Sequence, residues 1–465
     1  MSKQFRHCDL NQALLLPPSL QDWLPEGHLA RFVADVVETL DLAEFYEKHA
    51  DRDGRGQAAY DPRLMVRLLI YGYCLGVASS RRIEKATYDD VAFRYLASDD
   101  HPDHSVMAAF RKENLEPLRQ LFGQVLRLCQ RAGLVKLGHV ALDGTKVQAN
   151  ASKHKAMSYG RMEETEKRLE EEVKELLAEA AQVDAEEDAK YGKGKRGEEL
   201  PKELQRRESR LAKIREAKAA LEKEAREEAA AEKARVEAQL NERERQEQAR
   251  GRKFTGPKPQ VPDPEQAKPD GKAQRNFTDP ESRIMKDGAT KEFVQGYNAQ
   301  AAVDSEAQVI VAAAVTQQPN DKQQLVPMVE EVQAMTGQQP QQVTADAGYF
   351  SEKSVTDPKL EGIDLWIPPD RQKHGEEAPQ ATGPPSAEAA VAEQMRHKLR
   401  TPDGWAVYRM RKAIIEPVFG QIKECRGFRR SLLRGLSRVQ AEWQMICTTH
   451  NLLKLYRSGW QLEKA

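Results

Sequence analysis

Residues 137–150 read LGHVALDGTKVQAN, and in them Val140 and Leu142 lead into Asp143, with Val147 after Gly144 and Thr145. Alternating apolar positions of this kind predict a strand, here one that ends on an acid and a tight turn. A second stretch, 342–349, repeats the form: QVTA predicts a short strand, Asp346 ends it, and Ala347-Gly348-Tyr349 turns away. In an α/β sheet the carboxyl ends of strands open onto a ligand crevice, so the two carboxylates can face each other although 203 residues separate them. Asp-Gly and Asp-Ala-Gly are also ordinary turn chemistry. A third acid at a fitting place is needed to turn two turns into a site.

Glu416 supplies that acid, within YRMRKAIIEPVFGQIKECRGFRR at 408–430. Tyr408, Lys412, Glu416 and Lys423 follow at offsets of 4, 4 and 7, which predicts one helix face. Ile414, Ile415, Val418 and Ile422 cover the adjoining one. Lys412, Lys423, Arg426, Arg429 and Arg430 offer positive charge to phosphates. Pro417 predicts a kink or a new helix start directly after Glu416. Two aspartates and a glutamate are hard oxygen donors, suited to Mg²⁺ or Mn²⁺ and to two-ion phosphodiester chemistry. The sequence has no G-x-x-x-x-G-K-[ST] for a nucleotide cofactor, no G-x-S-x-G, and no Cys/His set of metal-ligand spacing.

The chain has 465 residues, which predicts several domains. Charged residues make up 31 % and the mean hydropathy is −0.73, so part of the chain is solvated rather than packed. No apolar run is long enough for a membrane span. Residues 1–15 lack the apolar core of an export signal, and the five cysteines, widely spaced and odd in number, fit a reducing cytoplasm. The net charge of −1 hides a basic C-terminus, where 400–465 carry 13 Lys/Arg against 5 Asp/Glu. That segment is basic enough to lie on phosphate.

Composition divides the chain. Residues 1–136 are expected to form a helical DNA-binding domain. Pro62 to Leu75 reads as a buried helix, Gly76 as its end, and Ser79 or Ser80 as the cap of a helix bearing Arg81, Arg82 and Lys85. This is the outline of a helix-turn-helix. Asp103 or Ser105 caps a further candidate with Arg111 and Lys112. Residues 137–160 hold the first core strand. Residues 161–250 predict an inserted coiled-coil hairpin, since 47 of the 88 residues from 163 to 250 are charged and apolar stripes recur at heptad spacing. A flexible linker is expected at 251–275, the rest of the core sheet at 276–371 with a helix from Asp321 capped by Asn320 or Asp321, a disordered loop at 372–403, and basic helices at 404–465.

Together, VALDGTKVQANASKHKAMSYGRM, DPESRIMK, GYNAQAAVD, TADAGYFSEKS and the 408–430 block resemble the DDE transposases of bacterial insertion sequences, in the group named after insertion sequence eleven-eighty-two. The resemblance implies an α/β, RNase H-like catalytic core with a helical N-terminal domain. It further implies catalytic and metal-binding roles for Asp143, Asp346 and Glu416, with two Mg²⁺ or Mn²⁺ ions when DNA is bound. Against the family signature Tyr-x2-Arg-x3-Glu-x6-Lys, Glu416 and Lys423 fit, Lys412 takes the Arg position, and Tyr408 stands one residue early. The implied partners are terminal inverted repeats and target DNA, in a homodimer or larger synaptic complex associated with the bacterial nucleoid. The competing readings are a catalytically silent DNA-binding or repressor descendant and a scaffold built on the helical arm.

Overall fold

The computed structural model describes residues 19–50, 59–191, 202–252, 254, 256, 258–288, 290–371, 381 and 389–461. The chain divides into two compact units, Met1–Val147 with Asn298–Ala465, and Gln148–Tyr297. The first unit begins with seven helices: α1 (Leu29–Thr39), α2 (Ala43–Ala50), α3 (Pro62–Cys74), α4 (Ser80–Asp89), α5 (Val91–Leu96), α6 (His104–Glu113) and α7 (Leu115–Arg131). Local chemistry sets their starts. Asp61 accepts from Arg63 N at 2.8 Å with Pro62 in the first turn of α3, and Asp103 accepts from Ser105 N at 2.7 Å to cap α6. Ser79 stands at the cap of α4 without a side-chain bond. These helices share one apolar core with the sheet that follows, so 19–136 do not stand apart as a separately packed domain.

The strand β1 (His139–Gln148) leads into the second unit. There β2 (Ala156–Ser158) opens the long helix α8 (Tyr159–Tyr191), followed by α9 (Lys202–Arg250). Residues 192–201, between these two helices, lie outside the described residues. The two helices run antiparallel: Glu172 meets Arg207 at 2.8 Å, while Glu166 meets Arg215 at 3.1 Å and Lys218 at 3.0 Å. Beneath these pairs Met162 and Leu169 are buried with Leu211, Ile214 and Leu221. β3 (Gln274–Asn276) pairs with β2, and β4 (Arg283–Lys286) pairs antiparallel with the first residues of β5 (Phe293–Asp304). Tyr297 donates its hydroxyl to both oxygens of Asp279, at 2.8 and 2.9 Å, and so fixes the turn before β4.

From Asn298 onward β5 pairs antiparallel with β6 (Ile310–Thr316). β1 lies between β5 and β7 (Gln342–Thr344), and β8 (Asp364–Trp366) lies beyond β7, with β1, β7 and β8 parallel. Between and after them come α10 (Leu325–Thr336), α11 (Glu352–Val355), α12 (Val391–Arg400), α13 (Pro402–Gly420) and α14 (Leu436–Arg457). α14 is buried along most of its length although its middle is polar, because its amides serve the backbone of β6. Asn451 accepts from Ile310 N and donates to Ile310 O, both at 2.8 Å, and Gln440 donates to Ala313 O at 2.9 Å. Side-chain amides here take the place of a neighbouring strand at an otherwise unpaired edge.

Three expectations are corrected. The loop predicted at 372–403 contains a helix, α12, because VAEQMRHKLR is made mostly of strong helix formers; residues 372–380 and 382–388 lie outside the described residues. α10 starts at Leu325, so neither Asn320 nor Asp321 caps it. Pro417 does not break α13, which continues to Gly420 and then widens into a π-helical turn at Gln421–Cys425. Proline withholds the N–H that Ala413 O would accept within the helix. Gln308 Nε2 donates to that carbonyl instead, at 2.8 Å.

Candidate active site

Sheet register brings the two aspartates together. In the parallel pair β1–β7, Ala141 stands opposite Thr344, and two residues further along each chain are Asp143 and Asp346. Asp346, just past the end of β7, therefore stands level with Asp143 within β1, on strands about 4.8 Å apart; the turn expected after Asp143 is absent, since β1 runs on through Gly144 to Gln148. Each accepts from a neighbouring backbone amide: Gly144 N, the next residue of β1, donates to Asp143 Oδ1 at 2.8 Å, and Gly348 N, in the turn after β7, to Asp346 Oδ1 at 2.8 Å. Burial pushes the Asp143 carboxyl up to about 6; the Arg411 charge opposes that shift and the Asp346 charge adds to it.

The counter-charge comes from α13. Arg411 Nη1 donates to Asp143 Oδ2 at 2.9 Å, with side chains only 11 % and 22 % exposed. The Tyr408 ring centroid lies 6.0 Å from the Arg411 guanidinium, one helical turn before it. Arg411 Nε is buried without a hydrogen-bond partner. Ile415, the next residue on that face, is fully buried, whereas Lys412 and Glu416 occupy the neighbouring, exposed face. Glu416 makes no hydrogen bond or ion pair among the described residues, and the structure does not bring it to the two aspartates.

Behind the aspartates lies a polar floor that sequence reasoning missed. Asp321 Oδ1 accepts from Asn298 Nδ2 at 2.7 Å and from Gln300 Nε2 at 2.6 Å. The hydroxyl of Tyr349, a fully buried side chain, donates to Gln300 Oε1, and burial together with the charges of Asp321, Asp143 and Asp346 raises its pKa far above the phenol range. Gly144 is required by this packing, since a Cβ there would stand 2.5 Å from Gln300 Nε2 and 2.7 Å from Asp321 Oδ1. Among the described residues, the one group of three His, Cys, Asp or Glu side chains with ligand atoms all within 4.8 Å of one another is Glu84, Asp103 and His104, away from these acids.

Comparison with known families bears on this geometry. A family model described as Transposase domain (DUF772) matches residues 18–113, and one described as Transposase DDE domain matches residues 266–452. The chain belongs to the DDE transposases. No curated protein and no solved structure matches it. Membership makes DNA the substrate and a divalent metal ion the cofactor. The donor chemistry fits: carboxylates level on adjacent strands, with one of them paired to a guanidinium, offer hard oxygen donors suited to a hard cation.

The basic residues of the transposase fall into two groups. Arg81 and Arg82 on α4 and Lys112 on α6 are exposed, as is Lys85, which pairs with Asp89 at 3.8 Å. Lys412, Arg429 and Arg430 are exposed too, with Arg429 paired to Glu424. Lys423 reaches β1 beyond Asp143, donating to Lys146 O at 3.0 Å. Two predicted DNA contacts are corrected. Arg111 is 7 % exposed and donates to Ala78 O at 2.8 Å; Arg426 is 6 % exposed and donates to Thr449 Oγ1 at 2.8 Å. Both stitch helices together and have no guanidinium left for phosphate. No described helix of the transposase is long and apolar enough to cross a membrane.

Proposed function

We propose that the transposase cuts DNA at the ends of its element and joins the freed 3′-OH ends to target DNA, on an RNase H-like core. The observation that carries this reading is the register that sets Asp143 and Asp346 level on adjacent parallel strands, facing the Arg411 side of α13. Asp143 and Asp346 hold the divalent ions, and Glu416 joins them when DNA draws α13 and the strand ends together. Bound there, such ions polarise the scissile phosphate and lower the pKa of the attacking water. The number of phosphodiester bonds is conserved in the joining step, so no nucleotide cofactor is needed.

The chain's own groups do the positioning. Arg411 neutralises Asp143 in the metal-free protein and is placed to pair with a phosphate oxygen once a cation takes over that carboxylate. Lys423 steadies β1, the strand that carries Asp143. Arg81, Arg82, Lys85 and Lys112 form exposed basic faces on α4 and α6 suited to the DNA of the inverted repeats, with Lys412, Arg429 and Arg430 for the strand near the cut. The α8–α9 pair, read as a coiled-coil arm, supplies a surface for assembling two copies on two DNA ends.

Oligonucleotides carrying the element ends test the reading. Wild-type protein nicks them in Mg²⁺ or Mn²⁺, and Asp346→Asn lowers the rate at least about 100-fold while retaining gel-shift affinity. Equal nicking by the variant refutes the assignment; binding by wild type with no metal-dependent nicking makes the protein a silent DNA-binding descendant.

A further inference from the structure

Asp321 lies between β6 and α10, three residues before Gln324, the N-cap of α10, although the sequence offers it as a cap for that helix. It does not act as one. Its carboxylate turns inward, toward Gly144 of β1 and Gly348 of the turn after β7, beside the two catalytic aspartates. Oδ1 lies 2.7 Å from where a Cβ on Gly144 would stand; Oδ2 and Asp346 Oδ1 lie 3.6 and 2.9 Å from where a Cβ on Gly348 would stand. Both bonds to Asp321 use Oδ1, from Asn298 Nδ2 and Gln300 Nε2, and no partner approaches Oδ2 among the described residues. A ligating carboxylate is commonly oriented this way, one oxygen fixed by amides and the other left for the ion.

A second observation points to the same place. Asn298 is fully buried, its Nδ2 is committed to Gln318 O at 3.1 Å and to Asp321, and its Oδ1 has no hydrogen-bond partner. That oxygen lies 3.0 Å from the same Gly144 Cβ position that Asp321 Oδ1 approaches. A buried amide oxygen is costly to leave unpaired. An orphaned oxygen beside an acid with an open oxygen marks a place that lacks positive charge.

We propose that Asp321 is a further metal-holding carboxylate of the transposase, which binds one divalent cation with Asp346 before DNA arrives, with Asn298 Oδ1 as a neutral oxygen beside it. The inference rests on the proposed metal roles of Asp143 and Asp346 and goes beyond them. It explains how an ion is retained while Glu416 still faces solvent. Glu416 is then the acid that DNA binding recruits, and Asp321 the one already in place.

The test is Mn²⁺ binding to the metal-free, full-length protein without DNA, followed by the paramagnetic resonance signal of free Mn²⁺. Asp321→Asn weakens binding at least about tenfold, as Asp346→Asn does, whereas Glu416→Gln leaves it within about twofold. Wild-type affinity in Asp321→Asn beside a loss in Asp346→Asn overturns the inference and leaves the reading of the aspartates standing. Wild-type affinity in both Asp346→Asn and Asp143→Asn overturns that reading itself. Should Asp321→Asn fail to fold, Fe²⁺-generated hydroxyl radicals on the wild-type chain decide the matter. Backbone cuts near 143, 320–322 and 346–348 support the assignment, and cuts near 143 and 346 without any at 320–322 refute it.

Discussion

Asp143 combines two demands that conflict in an ordinary folded protein: it is held out of water, and it stands level with another carboxylate. Its folded pKa of about 6 lies above the unfolded value, so the ionised form opposes folding at neutral pH and the opposition fades as pH falls through about 6. In EDTA, Asp143→Asn is therefore expected to melt at a higher temperature relative to wild type at pH 7.5 than at pH 5. Thermal melts at the two pH values check the sign; a difference that grows on acidification contradicts it. At this scale the sequence shows the acids and hides their partners. Asp143 and Asp346 are legible because each ends an apolar run. Arg411 is not, because counting back from Glu416 lands on Lys412, whereas counting forward from Tyr408 lands on Arg411, and a single residue turns a side chain about 100° around a helix. The intact Tyr408-x2-Arg411 interval was the available signal. Asp321 is hidden by ambiguity, since an acid before a helix reads equally well as a cap.

At the scale of elements, α13 shows how a sequence that argues against a helix is made to continue one. Gln308 Nε2 occupies the carbonyl that Pro417 frees, so the two residues are coupled though 109 positions apart. Gln308→Ala is expected to cost about 1 kcal/mol in the native chain and markedly less in a Pro417→Ala background, where the helix supplies its own donor. A double-mutant cycle by chemical denaturation measures the difference; equal costs in the two backgrounds contradict the coupling. α14 teaches the complementary lesson. Its interior run of Gln, Thr, His and Asn reads as half-solvated, yet Asn451 and Gln440 are spent on β6, and only the position of that strand edge reveals it. Basic residues mislead likewise: Arg111 and Arg426 look like phosphate ligands in the sequence, and the packing of α3, α6 and α14 consumes them.

Across the whole molecule, the boundary that composition suggests near 136 is not a packing boundary. Val125 and Leu126 of α7 belong to the same apolar core as Val140 of β1, Ile310 of β6 and Leu452 of α14. The sequence could show helices here but not that they share their core with a sheet, because burial against a distant partner leaves no local periodicity of its own. Limited proteolysis around 131–139 should consequently release no stable N-terminal fragment, and thermal unfolding of the nicked protein should begin well below that of the intact chain. Recovery of a folded fragment ending near 136 contradicts this.

The central claim is that strand register builds a metal-dependent centre from Asp143 and Asp346. Metal rescue of Asp346→Cys in single-turnover nicking of end-bearing oligonucleotides tests it most directly, because a thiolate accepts Mn²⁺ better than Mg²⁺. The account predicts no detectable cutting in Mg²⁺ and partial recovery in Mn²⁺. Cutting at wild-type rate in Mg²⁺ would contradict it.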